Sequence, residues 1–160
     1  MSIEKVRAFF EKEGRAGDIL EFETSSATVE LAAQAAGCEP ARIAKTLSFA
    51  VEDGCALVVC AGDAKIDNVK YKAQFHTKAK MLTPEQVVAF TGHAVGGVCP
   101  FAVECPATTA WLDVSLKRFA TVFPAAGSSN SAIELTLDEL EKFSHGVGWV
   151  DVCKNWQEPQ

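Results

Sequence analysis

Lys45 stands near the start of Ile43-Ala44-Lys45-Thr46-Leu47-Ser48-Phe49, a run whose alternation reads as a strand. If Leu47 and Phe49 face the core, the two-residue period puts Lys45 on their side of the sheet, which is unusual for a lysine. Two readings are open. The aliphatic stem covers apolar surface while the ammonium reaches water, or the cation is held in a cleft for a phosphate, an ester or an anionic transition state. The second candidate is Gly96-Gly97-Val98-Cys99-Pro100, where two residues without a Cβ precede one with a fixed φ. Such a loop aims consecutive backbone N–H groups at a carbonyl oxygen as charge develops on it, or is an ordinary turn.

His93 and Cys99 share this region and raise the alternative of a thiol nucleophile with an imidazole base. Cys99 precedes a proline, and no helix N-terminus is indicated to lower its pKa, so the thiol ranks behind Lys45. His93 is kept as a hydrogen-bonding or substrate-shaping group. Gly127-Ser128-Ser129-Asn130 offers hydroxyls and an amide to a small polar ligand, or simply turns the chain. Asp113, ahead of Ser115-Leu116-Lys117-Arg118, is placed to cap a short helix. His76 and His145 lack metal-ligand spacing. The six cysteines (Cys38, Cys55, Cys60, Cys99, Cys105, Cys153) contain no CxxC pair, so no metal and no cofactor is expected.

These residues need a scaffold. Ser2 caps a first helix carrying Ile3, Val6, Phe9 and Phe10, and an extended piece over 19–22 leads to Thr24-Ser25-Ser26. A second helix through Val29, Leu31, Ala32 and Ala35 stops at Gly37, and Pro40 opens a short third. Residues 46–51 and 56–60 flank Asp53-Gly54, the clearest hairpin signal in the chain. A helix follows Asp67, and Thr83-Pro84-Glu85-Gln86 starts another. Short strands are predicted over 110–112, 121–123, 133–135 and 147–152, with a capped helix from Thr136. The sum is an α+β fold, one domain over residues 1–160, with a mixed, partly antiparallel sheet flanked by helices.

Composition fits that scaffold. At 160 residues with 48% hydrophobic and 22% charged, the chain has the makeup of a compact globular domain and not of a disordered or fibrous one. Its longest apolar stretch, 55–61, falls far below the roughly 20 residues that cross a bilayer. The N-terminal residues mix acids and bases where a secretory leader would carry a basic tip and an apolar run, so a cytoplasmic protein with reduced thiols is expected. A disulfide framework is the second choice. The net charge of −6 hides an asymmetry: Lys65, Lys70, Lys72, Lys78 and Lys80 face one acid, Asp67, within 65–80, a local +4 on a body of −10. That segment is a solvated helix face or a phosphate-binding patch.

Ala44-Lys45-Thr46-Leu47, the 92–101 loop, Asp113-Val114-Ser115-Leu116, Ala126-Gly127-Ser128-Ser129-Asn130 and Thr136-Leu137-Asp138-Glu139-Leu140 occur in this order. Together they resemble the YbaK/prolyl-tRNA-synthetase-associated editing domain, over nearly the whole chain from about Thr24 to Leu140. The resemblance implies a free-standing aminoacyl-tRNA deacylase, a hydrolase serving translation fidelity by cleaving the ester of mischarged tRNA. It makes the lysine matching Lys45 functionally central and has the 96–100 loop shape the acyl pocket. The expected catalytic groups are Lys45, Gly96 and Gly97. Thr24, Ser25, Ser26, His93, Pro100, Asp113, Gly127, Ser128 and Ser129 are expected at the substrate, and the five lysines at tRNA phosphates. The expected partners are mischarged aminoacyl-tRNA and an aminoacyl-tRNA synthetase, with neither DNA nor a membrane. Alanine, serine or threonine is favoured over cysteine as the acyl group. The alternatives are a noncatalytic tRNA- or synthetase-binding module and a hydrolase using Cys99.

Overall fold

The computed structural model describes residues 2–23, 28–52 and 54–156. Thr24, Ser25 and Ser26, expected in the site, and Asp53, expected in the hairpin turn, lie outside the described residues. In chain order, α1 (Ser2–Lys12), β1 (Ile19–Glu21) and α2 (Val29–Ala36) precede the expected hairpin, β2 (Ile43–Val51) and β3 (Gly54–Ala61). Then come β4 (Lys65–Ile66), α3 (Asn68–Phe75), α4 (Pro84–Thr91), β5 (Thr108–Asp113) and β6 (Thr121–Pro124). The chain continues through β7 (Ser131–Ile133), β8 (Leu135–Thr136), α5 (Leu137–Ser144), β9 (Gly148–Val150) and β10 (Cys153–Lys154).

The main sheet has the order β8-β6-β2-β3-β5-β9. Its centre is the antiparallel hairpin, from Ala44 opposite Ala61 to Val51 opposite Gly54. Parallel joins flank it, β6 on β2 and β5 on β3, then β9 on β5, so the mixed α+β sheet is as expected. The single strand predicted at 133–135 is instead two. β7 pairs with β1, β8 pairs with β6, and the exposed Glu134 between them marks where the chain changes partner. The β4–β10 ladder is two residues long, too short to leave a periodic signal.

Local chemistry explains the helix boundaries. Thr83 and Thr136 each accept from the third helical N–H while Gln86 and Glu139 return the bond, so both helices carry capping boxes. Asp67 accepts from Val69 and Lys70 at the head of α3. Alternation along β2 sends Ile43, Lys45, Leu47 and Phe49 to one face and Ala44, Thr46, Ser48 and Ala50 to the other. On the first face Ile43 packs with Ala33 and Phe123, and the Phe49 ring meets Tyr71 of α3 at a tilt, centroids 4.9 Å apart. On the second, Leu57, opposite Ser48, joins Leu82 and Val87. Phe10 of α1 meets Phe101 and Phe143 edge to face at 5.0 and 5.2 Å, tying α1 and α5 to the 92–101 loop.

Candidate active site

β2 pairs with β3 almost throughout but with β6 only at Ile43 and Ala44, and the next bridge on that edge joins Phe49 to Met81. Residues 45–48 therefore border a gap in the sheet. The Ala50 N–H points out of the hairpin to the Lys80 carbonyl at 2.8 Å, and the two-residue period turns the backbone of Thr46 and Ser48 the same way, into the gap. A cleft of about 530 Å³ lies along it, a size within the roughly 300–1,000 Å³ of small-ligand sites.

Lys45 stands in the cleft wall, half-buried. Its side chain lies on the Leu47 and Phe49 face, as alternation predicts, and its Nζ donates to the Ala64 carbonyl and to the Gly62 carbonyl at 3.4 Å. On the other face of β2, the Thr46 Oγ1 is buried and has no hydrogen-bond partner. Leu82, Val87 and Val98 supply apolar wall, and Ser48, Ser128 and Ser131 supply hydroxyls. Thr46, Ser48 and Ser131 were not singled out in the sequence. Thr46 and Ser48 become visible as site residues only when β6 is known to stop pairing at Ala44.

The two glycines of the loop have different tasks. Gly96 lines the cleft at φ +96°. Gly97 does not: its N–H donates to the Ala94 carbonyl at 2.9 Å, so it is not an oxyanion donor, which corrects the expectation. A Cβ on Gly97 would meet the backbone of Gly127 and Ser128, so this glycine fastens the loop to the β6–β7 connection.

His93 and Pro100 are also buried beneath the loop and do not line the cleft. The His93 Nε2 is 2.8 Å from the Phe101 carbonyl, an acceptor only, so Nε2 carries the proton and the buried Nδ1 has no partner. Burial pushes the His93 pKa down, against the Phe101 carbonyl, which raises it. Cys99 Sγ lies 3.5 Å from the same Nε2, whose proton leaves it no room to act as a base toward the thiol. Complete burial pushes the Cys99 thiol up to about 12. The thiol-nucleophile alternative has neither a thiolate nor a base.

Asp113 is fully buried outside the cleft, where Oδ2 accepts from Ser115 N–H and Oδ1 from Val152 N–H, both at 2.9 Å. The expected cap is present, and Asp113, expected at the substrate, does not line the cleft. Gly127 is buried against Gly97. Ser128 Oγ lines the cleft and lies 2.7 Å from Ser131 Oγ, whereas Ser129 does not line it. Of the basic segment, Lys65, Lys72, Lys78 and Lys80 are exposed. Lys70 is half-buried and committed, with Nζ 3.1 Å from both Asp151 Oδ1 and the Cys153 carbonyl. Lys80 precedes Met81, which lines the cleft, so the segment runs up to the rim. Among the described residues no group of three or more His, Cys, Asp or Glu is placed to hold a metal, and no helix is long and apolar enough to cross a membrane.

The sequence model of the aminoacyl-tRNA editing domain matches residues 23–143. The chain is 56% identical over 158 residues to the uncharacterized protein YwhH of Bacillus subtilis, covering 98% of this chain and all of that one. It is 30% identical over 78 residues to the proline–tRNA ligase of Thermotoga maritima, covering 48% of this chain and 14% of the ligase. Among solved structures, a candidate trans-editing enzyme for prolyl tRNA synthetase superposes with a TM-score of 0.85 at 30% identity, over 96% of this chain and 97% of that one.

Proposed function

Because the chain belongs to the aminoacyl-tRNA editing domain family, we propose that it is a trans-editing aminoacyl-tRNA deacylase, hydrolysing the ester of mischarged tRNA that carries alanine, serine or threonine ahead of cysteine. The observation that carries the reading is Lys45, a cation in the wall of a cleft that is also lined by Ser48, Ser128 and Ser131. A cation with hydroxyls around it suits a polar, anionic-going substrate. The likeness to part of a proline–tRNA ligase and to a candidate trans-editing enzyme supports a prolyl-tRNA synthetase as the associated partner.

In this reaction Lys45 orients the terminal adenosine or stabilises the charge that grows on the ester oxygen, and Gly96 lines the same cleft. Water attacks the ester carbon with a ribose hydroxyl assisting, the ester bond breaks to leave the free amino acid and the tRNA terminal hydroxyl, and no protein nucleophile takes part, in keeping with a Cys99 thiol held at about 12. Leu82, Val87 and Val98 limit the acyl group to a small one. A pocket separates one methylene by only about 1–3 kcal/mol, so neighbouring small residues are accepted together. The exposed lysines Lys65, Lys72, Lys78 and Lys80 hold acceptor-stem phosphates at the rim, with Lys70 bracing its own helix.

Single-turnover hydrolysis of tRNAs charged with alanine, serine, threonine, cysteine and proline tests this, with wild type and Lys45→Ala side by side. Release of a small amino acid that disappears in the variant is the expected result. No release from any charged tRNA, with tRNA binding retained, would leave a binding module.

A further inference from the structure

Lys45 takes its place from a turn outside the cleft. Residues 61–64 leave β3 in a turn closed by Ala64 N–H on the Ala61 carbonyl at 3.0 Å, and the Gly62 and Ala64 carbonyls receive the ammonium. Three contacts hold this turn. Ala61 N–H donates to Ser115 Oγ at 3.1 Å, and Ser115 N–H is held in turn by the buried Asp113. Gly62 stands against Pro40, where a Cβ would come within 2.1 Å of the Pro40 carbonyl oxygen and 2.7 Å of Val29 Cγ1. Asp63 is gripped by both terminal nitrogens of Arg118, at 2.6 and 2.9 Å.

Arg118 is itself immobilised. Its Nε donates to the Ser115 carbonyl at 2.9 Å and one terminal nitrogen to the Trp156 carbonyl at 3.0 Å, while its guanidinium lies 4.8 and 5.2 Å from the Phe119 and Trp156 rings. A fork that meets a carboxylate through two bonds fixes direction as well as distance. We propose that Asp63 and Arg118 are positioning residues for Lys45: their two-bond pair sets the direction of the Gly62 and Ala64 carbonyls and, through them, the place of the ammonium at the edge of the cleft. Its effect on turnover rests on the reading of Lys45 as the charge of the deacylation reaction. The pair is partly exposed, and Asp63→Asn keeps the shape and one acceptor for the fork, so the rate and the Lys45 signal are compared at a temperature below the melting transition of each variant.

The test uses the full chain with Asp63→Asn, Asp63→Glu and Arg118→Lys. Two quantities are measured: the single-turnover rate on tRNA charged with serine or alanine, and the NMR signal of the Lys45 ammonium, assigned by its loss in Lys45→Arg. Asp63→Asn is expected to lower the rate at saturating protein by about 10- to 100-fold, with the half-saturating concentration unchanged. Its Lys45 signal moves toward that of a solvated lysine. Arg118→Lys, which keeps the charge but not the fork, falls between, and Asp63→Glu restores most of the rate. A Lys45 signal unmoved in Asp63→Asn overturns the proposal, whether or not the rate falls. If the wild type hydrolyses no charged tRNA, the deacylase reading fails, and the Lys45 signal still decides whether the pair places the ammonium.

Discussion

Gly97 lies so close to Ser128 that a Cβ on it would come within 2.8 Å of the Ser128 Cα and 3.0 Å of the Gly127 carbonyl. Both obstacles are backbone, so neither moves aside by changing a rotamer. Gly97→Ala is expected to cost about 1–3 kcal/mol in urea denaturation and to slow deacylation by lifting the loop from the β6–β7 connection. At Gly96 the nearest atom to a new Cβ is Ser129 Cβ at 3.7 Å. Gly96→Ala thus pays only for its φ of +96°, about 1–2 kcal/mol. Identical activity and stability in wild type and Gly97→Ala would contradict the packing described here.

Thr46 offers a trade between stability and function. Its buried Oγ1 has no partner, and an unsatisfied buried polar group costs about 1–3 kcal/mol. Thr46→Val keeps the shape and removes the group. The free protein should melt at the same temperature or higher, while single-turnover hydrolysis of seryl-tRNA slows. A valine variant that is both less stable and fully active would show that the hydroxyl contributes to the fold and is ignored by substrate.

Acid should loosen the protein through His93. Burial holds its pKa below the ordinary value, so below about pH 6.5 the unfolded chain takes up a proton that the folded chain refuses. Its contribution is complete above that pH and is lost as pH falls toward the folded pKa. Urea midpoints at pH 7.5 and 5.5 should differ in wild type, and less so in His93→Gln, which keeps a donor for the Phe101 carbonyl. An equal pH dependence in both proteins would assign the effect to other groups.

Reversing charge at Lys72 and Lys78 together should weaken tRNA binding and reduce the slope of log K against log salt by about 2, since each phosphate contact contributes roughly 0.9. Fluorescence anisotropy across a salt series measures both. Lys70→Gln should instead act on stability, because its ammonium is spent on Asp151 and the Cys153 carbonyl. An unchanged salt slope in the double reversal would leave the segment a solvated face.

What the sequence displays is what depends on near neighbours. The hairpin, the capping residues Thr83 and Thr136, the Asp113 cap and the side of β2 that carries Lys45 all follow from spacing within a few residues. The gap along residues 45–48 depends on β6, some eighty positions away, ending its pairing at Ala44. For the same reason Gly96 and Gly97 look interchangeable as letters and are not. One faces the cleft, and the other is distinguished only by Gly127 and Ser128 beneath it. His93, Pro100 and Asp113 sit within motifs that carry the family resemblance, yet all three are buried. Their spacing in the chain reports support of the loop and turn, and does not say which atoms meet a ligand.

The gap in the sheet also bears on how the molecule coexists with its own copies. An open strand edge invites a strand from another chain to add to it and seed aggregation. Here the opening is closed at one end by the Ala44–Pro124 pairing and at the other by the Phe49–Met81 bridge. Four residues span about 13 Å, shorter than a typical strand of five or six residues. An intruding strand would meet those two ends before it gained a stable ladder. The protein can thus keep an interrupted strand edge beside its cleft without offering a foothold for self-assembly.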